Sequence, residues 1–259
     1  MPGSKLKLTI RRNQILQQLH KTGKVTVTQL SADLGTTQVT IRSDLAAMER
    51  EGLLLRVQGG AVPAANAASH EQHSFSRDTI YAREKQWIAR CAVEQIHDGD
   101  TLFLNSGSTA LFVADGLRCR KNLNVVTNSL AVATRLGGTP TIRVTLLGGE
   151  INAQYGFTYG GDTQEQLGRY QADWVILSVE GVSTEGGITT RHPEEAVIDR
   201  MMIARSKAVL VVADHTKIGR VGFASVCQRQ SKTTLVTDAA AREDALSQLQ
   251  GHGWEIVTA

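Results

Sequence analysis

Between residues 11 and 61 the chain reads RRNQILQQLHKTGKVTVTQLSADLGTTQVTIRSDLAAMEREGLLLRVQGGA, in which three helical periods precede a short alternating segment. Leu8, Ile15, Leu16 and Leu19 recur at helical spacing until Gly23 stops the run. A second helix fits 27–34, with Leu30 and Leu34 one turn apart and Gly35 as its left-handed end. Thr37 is suited to cap a third helix, on which Ile41, Leu45 and Met48 form one apolar stripe that Gly52 closes. Leu53–Val57 then alternates, and Gly59-Gly60 supplies a turn. Three helices, a tight turn before the third and a trailing hairpin predict a winged helix-turn-helix over 1–62.

The stripe leaves Gln38, Val39, Arg42 and Ser43 on the opposite side of the third helix, with Thr37 and Thr40 at its first turn. Arg pairs with guanine edges, Gln with adenine, and a valine methyl with the thymine methyl. These residues are therefore candidates for reading a major groove, while Lys24 and Arg56 are candidates for holding phosphates. Charge agrees. Residues 1–62 hold nine Lys/Arg against four Asp/Glu, a net of +5, and the remainder holds nineteen against twenty-one, a net of −2. A basic head on a slightly acidic body suits a polyanionic partner.

The RR-x-x-IL opening, the L-x-x-x-LG turn, TIR-x-DL, ME-x-x-G and the closing GGA resemble the N-terminal domain of the DeoR family of bacterial transcriptional regulators. Two positions depart from that pattern and bear on the operator sequence. Ser43 stands where the family usually has a second Arg, and Gln58 where it often has His.

Beyond the head, PAANAASHEQHS (63–74) shows no periodicity and opens on proline, so 63–82 is expected to be a linker. His70 and His73 are read as solvated linker residues rather than as metal ligands, and neither a metal nor a cofactor is expected. From 83 to 259, short apolar strands alternate with amphipathic helices. Strands are predicted at Thr101–Leu104, Leu123–Thr127, Ile142–Leu147, Trp174–Val179, Ala208–Ala213, Thr234–Thr237 and Glu255–Thr258, and helices at 83–96, 109–118, 129–137, 163–169, 193–205 and 242–250. This is the pattern of an α/β domain whose mostly parallel sheet is covered on both faces.

Ligands in such sheets bind at the carboxyl ends of the strands. Here those ends are followed by Asn105, Ser106, Gly107, Ser108 and Thr109, then by Asn128 and Ser129 after Thr127, by Gly148 and Gly149, by Glu180, and by His215-Thr216-Lys217. The NSGST corner opens a helix, so its unpaired N–H groups and hydroxyls suit an anion such as phosphate. Each corner alone is also ordinary turn chemistry.

The body resembles the DeoR C-terminal sensor domain in EKQWIARCAVEQIHDGD (84–100), NSGST, VVTNSL (125–130), LLGGE (146–150), EGVSTEGGITT (180–190) and VVADHTKIG (211–219). That resemblance implies a fold related to ribose-5-phosphate isomerase and glucosamine-6-phosphate deaminase, and a phosphorylated sugar or related metabolite as effector. It implies SGST as the phosphate cradle, Thr127, Asn128 and Ser129 as a second wall, Lys217 as the basic residue facing the ligand, and Glu195 as the family's acidic position after the GITT strand. Asn105 replaces the usual Asp, Asn152 an Arg often found after the GG turn, and His192-Pro193 an Asn-Glu pair. These departures point to an effector that differs from simple family ligands.

The 259-residue composition is that of an ordinary globular protein, with no apolar run long enough to span a bilayer and no signal-peptide core. Cys91, Cys119 and Cys227 show no paired spacing, so a reducing, cytoplasmic setting is expected. The reading is a regulator that binds double-stranded operator DNA, forms at least a dimer because specific sites are usually two half-sites, and by resemblance often a tetramer. Two rival readings share parts of this pattern: a sugar-phosphate isomerase using Glu180 or Glu195 as base, and an architectural DNA-binding protein without operator preference.

Overall fold

The alternation of apolar periods resolves into two units, Met1–Ile80 and Tyr81–Ala259, in a computed structural model that describes residues 11–19, 22, 24–50, 53–57, 59–63, 80–228 and 232–259. Leu8, Gly23, Gly52, Gln58 and most of the expected linker, with His70 and His73, lie outside the described residues.

In the head, helix α1 (11–19) buries Ile15, Leu16 and Leu19. Strand β1 (Val25–Thr26) runs into α2 (Val27–Asp33), where the Thr26 hydroxyl accepts from the Gln29 N–H at 3.2 Å and caps the helix. Gly35 adopts the left-handed conformation (φ +57°), and the Thr37 hydroxyl accepts from the Thr40 N–H at 3.2 Å at the start of α3 (Gln38–Arg50). Ile41, Leu45 and Met48 are buried against α1 and α2 in one apolar core.

The wing is β2 (Leu54–Val57) antiparallel to β3 (Gly60–Pro63), and β1 adds a third strand by pairing with β3. The turn expected at Gly59-Gly60 falls on Gly59, while Gly60 belongs to β3. A Cβ on Gly60 would lie 1.9 Å from the Val25 carbonyl oxygen, so the glycine permits β3 to approach β1.

The body begins with α4 (Ala82–Glu94). Its order is then β4 (Thr101–Leu104), α5 (Ser108–Leu117), β5 (Leu123–Thr127), α6 (Leu130–Leu136), β6 (Ile142–Leu146), β7 (Glu150–Asn152), β8 (Phe157–Tyr159), α7 (Gly161–Leu167), β9 (Ala172–Ser178), β10 (Gly181–Ser183), β11 (Gly187–Thr190), α8 (Pro193–Ala204), β12 (Ser206–Val212), a 3₁₀ turn (His215–Lys217), β13 (Ala224–Cys227), β14 (Thr233–Thr237), α9 (Glu243–Gly251) and β15 (Glu255–Thr258). Seven strands form one sheet in the order β15-β14-β12-β9-β4-β5-β6, with every neighbouring pair parallel.

Alternate residues of the central strands face opposite layers. Phe103, Val175, Leu177, Val209 and Val211 pack with Ala196, Ile198 and Met202 of α8. Leu102, Leu104, Ile176, Leu210 and Val212 pack with Ile88, Ala110 and Val132 of α4, α5 and α6. Burial on both faces is why these strands read as continuous apolar runs. Two smaller sheets are additional to the expected strands outside GITT: the β7-β8 hairpin and the antiparallel β10-β11-β13.

Candidate functional site

The outward side of α3 is set by what holds its inner side. The Asp44 carboxylate is buried and faces the Arg11 Nε at 2.5 Å and the Arg12 Nε at 4.0 Å. Hydrogen bonding to Asp44 raises the Arg11 pKa against the opposing effect of burial. The two arginines that open the signature therefore tie α1 to α3. With that side fixed, Thr37, Gln38, Val39 (72% exposed), Arg42 and Ser43 lie exposed, and Thr40 partly so. The Arg42 guanidinium donates to the Gln38 amide oxygen at 3.4 Å, a weak contact one turn away, so both groups remain able to meet base edges. Lys24 is exposed. Arg56 is exposed but lies 3.8 Å from Glu49, whose carboxylate also accepts from the Arg56 backbone N–H at 2.9 Å.

In the body, all five polar corners follow the carboxyl ends of β4, β5, β6, β9 and β12, strands that run parallel in one sheet. The strand order reverses between β4 and β9, the position where open α/β sheets leave a crevice. Gly107 (φ +141°) heads α5 there, and a Cβ on it would lie 2.4 Å from the Ser178 hydroxyl. Only glycine fits, so the first-turn N–H groups of α5, on Ser108, Thr109 and Ala110, are presented without an intrahelical acceptor.

Several predicted ligand groups are placed differently from that N-terminus. Asn105 is wholly buried: its amide donates to the Ser178 carbonyl (3.0 Å) and to Asp199 (3.1 Å), and its oxygen accepts from the Ser178 N–H (2.8 Å). It straps β4 to β9 and α8. The Ser106 hydroxyl donates to Glu195 at 2.6 Å, and the Thr190 hydroxyl donates to the other oxygen of the same carboxylate. Buried Thr127 accepts from the Ser129 N–H (3.0 Å), and Ser129 caps α6 by accepting from the Val132 N–H (3.3 Å). The Asn128 amide donates to the Thr158 carbonyl at 3.0 Å, while its oxygen is buried without a partner among the described residues. Gly148 donates to Gln166 and accepts from Thr163. A Cβ on Gly149 (φ +141°) would lie 2.1 Å from the Thr163 hydroxyl, so this pair of glycines packs α7 against the β6–β7 corner.

Glu180 carries the densest electrostatics. The residue is 8% exposed, and its carboxylate meets Arg220 at 2.9 Å, Arg191 at 3.1 Å and Lys217 at 3.3 Å. Burial raises its pKa, but Lys217, Arg191 and Arg220 together outweigh burial and hold it below the ordinary carboxylate range. A carboxylate held charged by three cations is a poor base for abstracting a carbon-bound proton. Glu195 is likewise engaged by two hydroxyls. Behind it, burial first and the Glu195 charge second push Asp199 well above the carboxylate range, and its second oxygen has no partner among the described residues. His215 Nδ1 lies 3.0 Å from buried Asp238.

Arg191, Arg220, Asp44 and Asp199 escaped sequence reasoning, because each acts through partners distant along the chain or on the far side of a helix. Among the described residues no group of three or more His, Cys, Asp or Glu could hold a metal ion, and no helix is long and apolar enough to cross a membrane.

Comparison with known proteins fits both units. Residues 11–66 match the DeoR-like helix-turn-helix domain and residues 81–239 the DeoR C terminal sensor domain. The chain is 31% identical to the glycerol-3-phosphate regulon repressor of Escherichia coli K12, over 95% of this chain and 97% of that protein. It is 31% identical to the transcriptional repressor GlcR of Bacillus subtilis, over 94% and 93%, and 31% identical to the lactose phosphotransferase system repressor of Staphylococcus epidermidis, over 88% and 91%. All three relatives are repressors by name. Among solved structures, ribose 5-phosphate isomerase A from Neisseria gonorrhoeae shares 15% identity over 57% of this chain and 55% of that one, at a TM-score of 0.40, a likeness too slight to bear on function. The chain belongs to the DeoR family of transcriptional regulators, with the family's helix-turn-helix head and sensor domain in one polypeptide.

Proposed function

We propose that this protein represses a carbohydrate-utilisation operon and that a phosphorylated sugar or related metabolite changes its hold on operator DNA. The head, 1–62, reads bases through Thr37, Gln38, Val39, Thr40, Arg42 and Ser43, while Lys24 and Arg56 meet phosphates. The linker, 63–82, carries the change in arrangement, and the body, 83–259, senses the effector and oligomerises. The effector's phosphate meets the N-terminus of α5, with Ser106, Gly107, Ser108, Thr109 and Lys217 around it. Asn105, Thr127, Asn128, Ser129, Gly148, Gly149, Glu180 and Glu195 hold those loops in place.

The observation that supports this most is the outward face of α3, where an amide, a guanidinium and a valine methyl share one exposed side while Asp44 fixes the other. The names of two relatives, a glycerol-3-phosphate regulon repressor and a lactose phosphotransferase system repressor, support the effector class. One winged head offers a small interface, so two heads on two half-sites are required and the protein works as a dimer or tetramer in the cytoplasm, without a cofactor.

Footprinting across the DNA upstream of the regulated genes tests this reading. The expected result is a protected, two-fold-related site whose protection one sugar phosphate weakens. Uniform protection at every sequence would overturn it.

A further inference from the structure

We propose that Arg191 and Arg220, beside Lys217, receive a second anionic group on the effector, so that the body selects phosphorylated metabolites carrying a further phosphate or carboxylate over simple sugar monophosphates. This rests on the reading of the strand edge as the effector site.

Three cations converge on one carboxylate at 2.9–3.3 Å, which leaves the group of Glu180, Arg191, Lys217 and Arg220 with a net charge of +2. One cation would suffice to neutralise Glu180. The other two repel each other and the first at short range, and a further anion relieves that repulsion. The cations are positioned to meet one. The Arg191 and Arg220 side chains are 53% and 50% exposed. Each guanidinium has five N–H donors in a planar fork that fits phosphate or carboxylate. Glu180 engages one nitrogen of each at hydrogen-bonding distance, and Arg191 also hydrogen-bonds Tyr155.

The cluster also adjoins the proposed phosphate position. Arg191 follows Thr190, whose hydroxyl shares the Glu195 carboxylate with Ser106 of the α5 loop. Glu180 lies two residues beyond Ser178, the residue against which Gly107 packs. The two positions therefore flank the same reversal of strand order between β4 and β9. An anion matches the cluster in both charge and hydrogen-bond polarity.

Calorimetry on the full-length protein tests this with matched pairs: fructose 6-phosphate against fructose 1,6-bisphosphate, glucose 6-phosphate against 6-phosphogluconate, and inorganic phosphate against pyrophosphate. In at least one pair the member carrying the second anionic group is expected to bind about tenfold tighter. Arg191→Gln and Arg220→Gln should each bring that ratio toward one, and the pair that responds distinguishes a second phosphate from a carboxylate. Equal affinity within every pair would overturn the proposal while leaving the effector reading intact. An unchanged ratio in both variants would do the same. If none of the six compounds binds, the effector reading falls and the proposal falls with it.

Discussion

Asp44 in the head and Glu180 in the body are both buried carboxylates surrounded by more than one cation, yet the two arrangements differ in what they leave over. The Arg11 and Arg12 side chains are 21% and 22% exposed, and their charge serves to lock α1 onto α3. Arg191 and Arg220 are half exposed, so their charge is only partly engaged by Glu180. The head turns Arg11 and Arg12 toward Asp44 and presents neutral and mixed side chains on α3 to be matched against bases. The body keeps a surplus of positive charge at the carboxyl edge of its sheet. Arginine alone therefore does not mark a binding residue; the exposure left after its ion pairs are counted is the better guide.

The comparison is most severely tested at Asp44. Removing it takes away the carboxylate through which Arg11 and Arg12 tie α1 to α3, and Asp44→Ala should destabilise the head by about 2–3 kcal/mol, somewhat below the usual cost of breaking a buried pair because both arginines are partly hydrated. Urea unfolding should show the head melting early while the body's transition stays in place. Coincident loss of both transitions would contradict a role confined to the head.

Arg42→Ala should cost about 1–3 kcal/mol in operator binding and much less on random duplexes, because a guanidinium on α3 is assigned to a base edge. Competition binding checks it, and an unchanged operator-to-random ratio would remove Arg42 from the base-reading set.

Asp199 allows a prediction in pH. Its folded pKa is raised, so the folded state holds a proton that the unfolded state has released once pH exceeds the ordinary carboxylate value. Stability attributable to this site therefore falls as pH rises from about 4 toward the raised folded value. Asp199→Asn removes the titration and keeps the hydrogen-bonding shape, so its stability relative to the natural chain should grow from pH 5 to pH 8 in urea titrations. A constant difference would place the proton elsewhere.

The smallest effects belong to the phosphate contacts. Lys24→Ala should weaken operator and random DNA alike and lower the salt slope by about one. Arg56→Ala should do the same more weakly, since Glu49 already engages Arg56. Measuring both as a function of salt ranks them, and a larger effect at Arg56 would reverse the assignment.

Much of the fold was legible in the residues because burial imposes a period. The stripe Ile41-Leu45-Met48 and the continuous runs of β9 and β12 can bury only as a helix and as central strands. The β10 and β13 strands were harder, since they have only three or four residues and show too few alternations to separate strand from turn. The site was legible only in part. Strand ends and the Gly107 corner follow from topology, but Asn105 has the chemistry of a ligand group and acts as a strap between β4, β9 and α8. Arg191 and Arg220 were missed because each reaches Glu180 from a separate segment, and nothing local to either residue encodes that convergence.

The central claim is that one chain couples base reading in the head to metabolite binding in the body. Fluorescence anisotropy can measure affinity for the footprinted operator and for a scrambled duplex of equal length, each with and without the tightest-binding sugar phosphate. The account predicts at least about a thousandfold preference for the operator, reduced when the metabolite is present while scrambled-duplex binding is little changed. A ratio near one, or one that no metabolite alters, would contradict it.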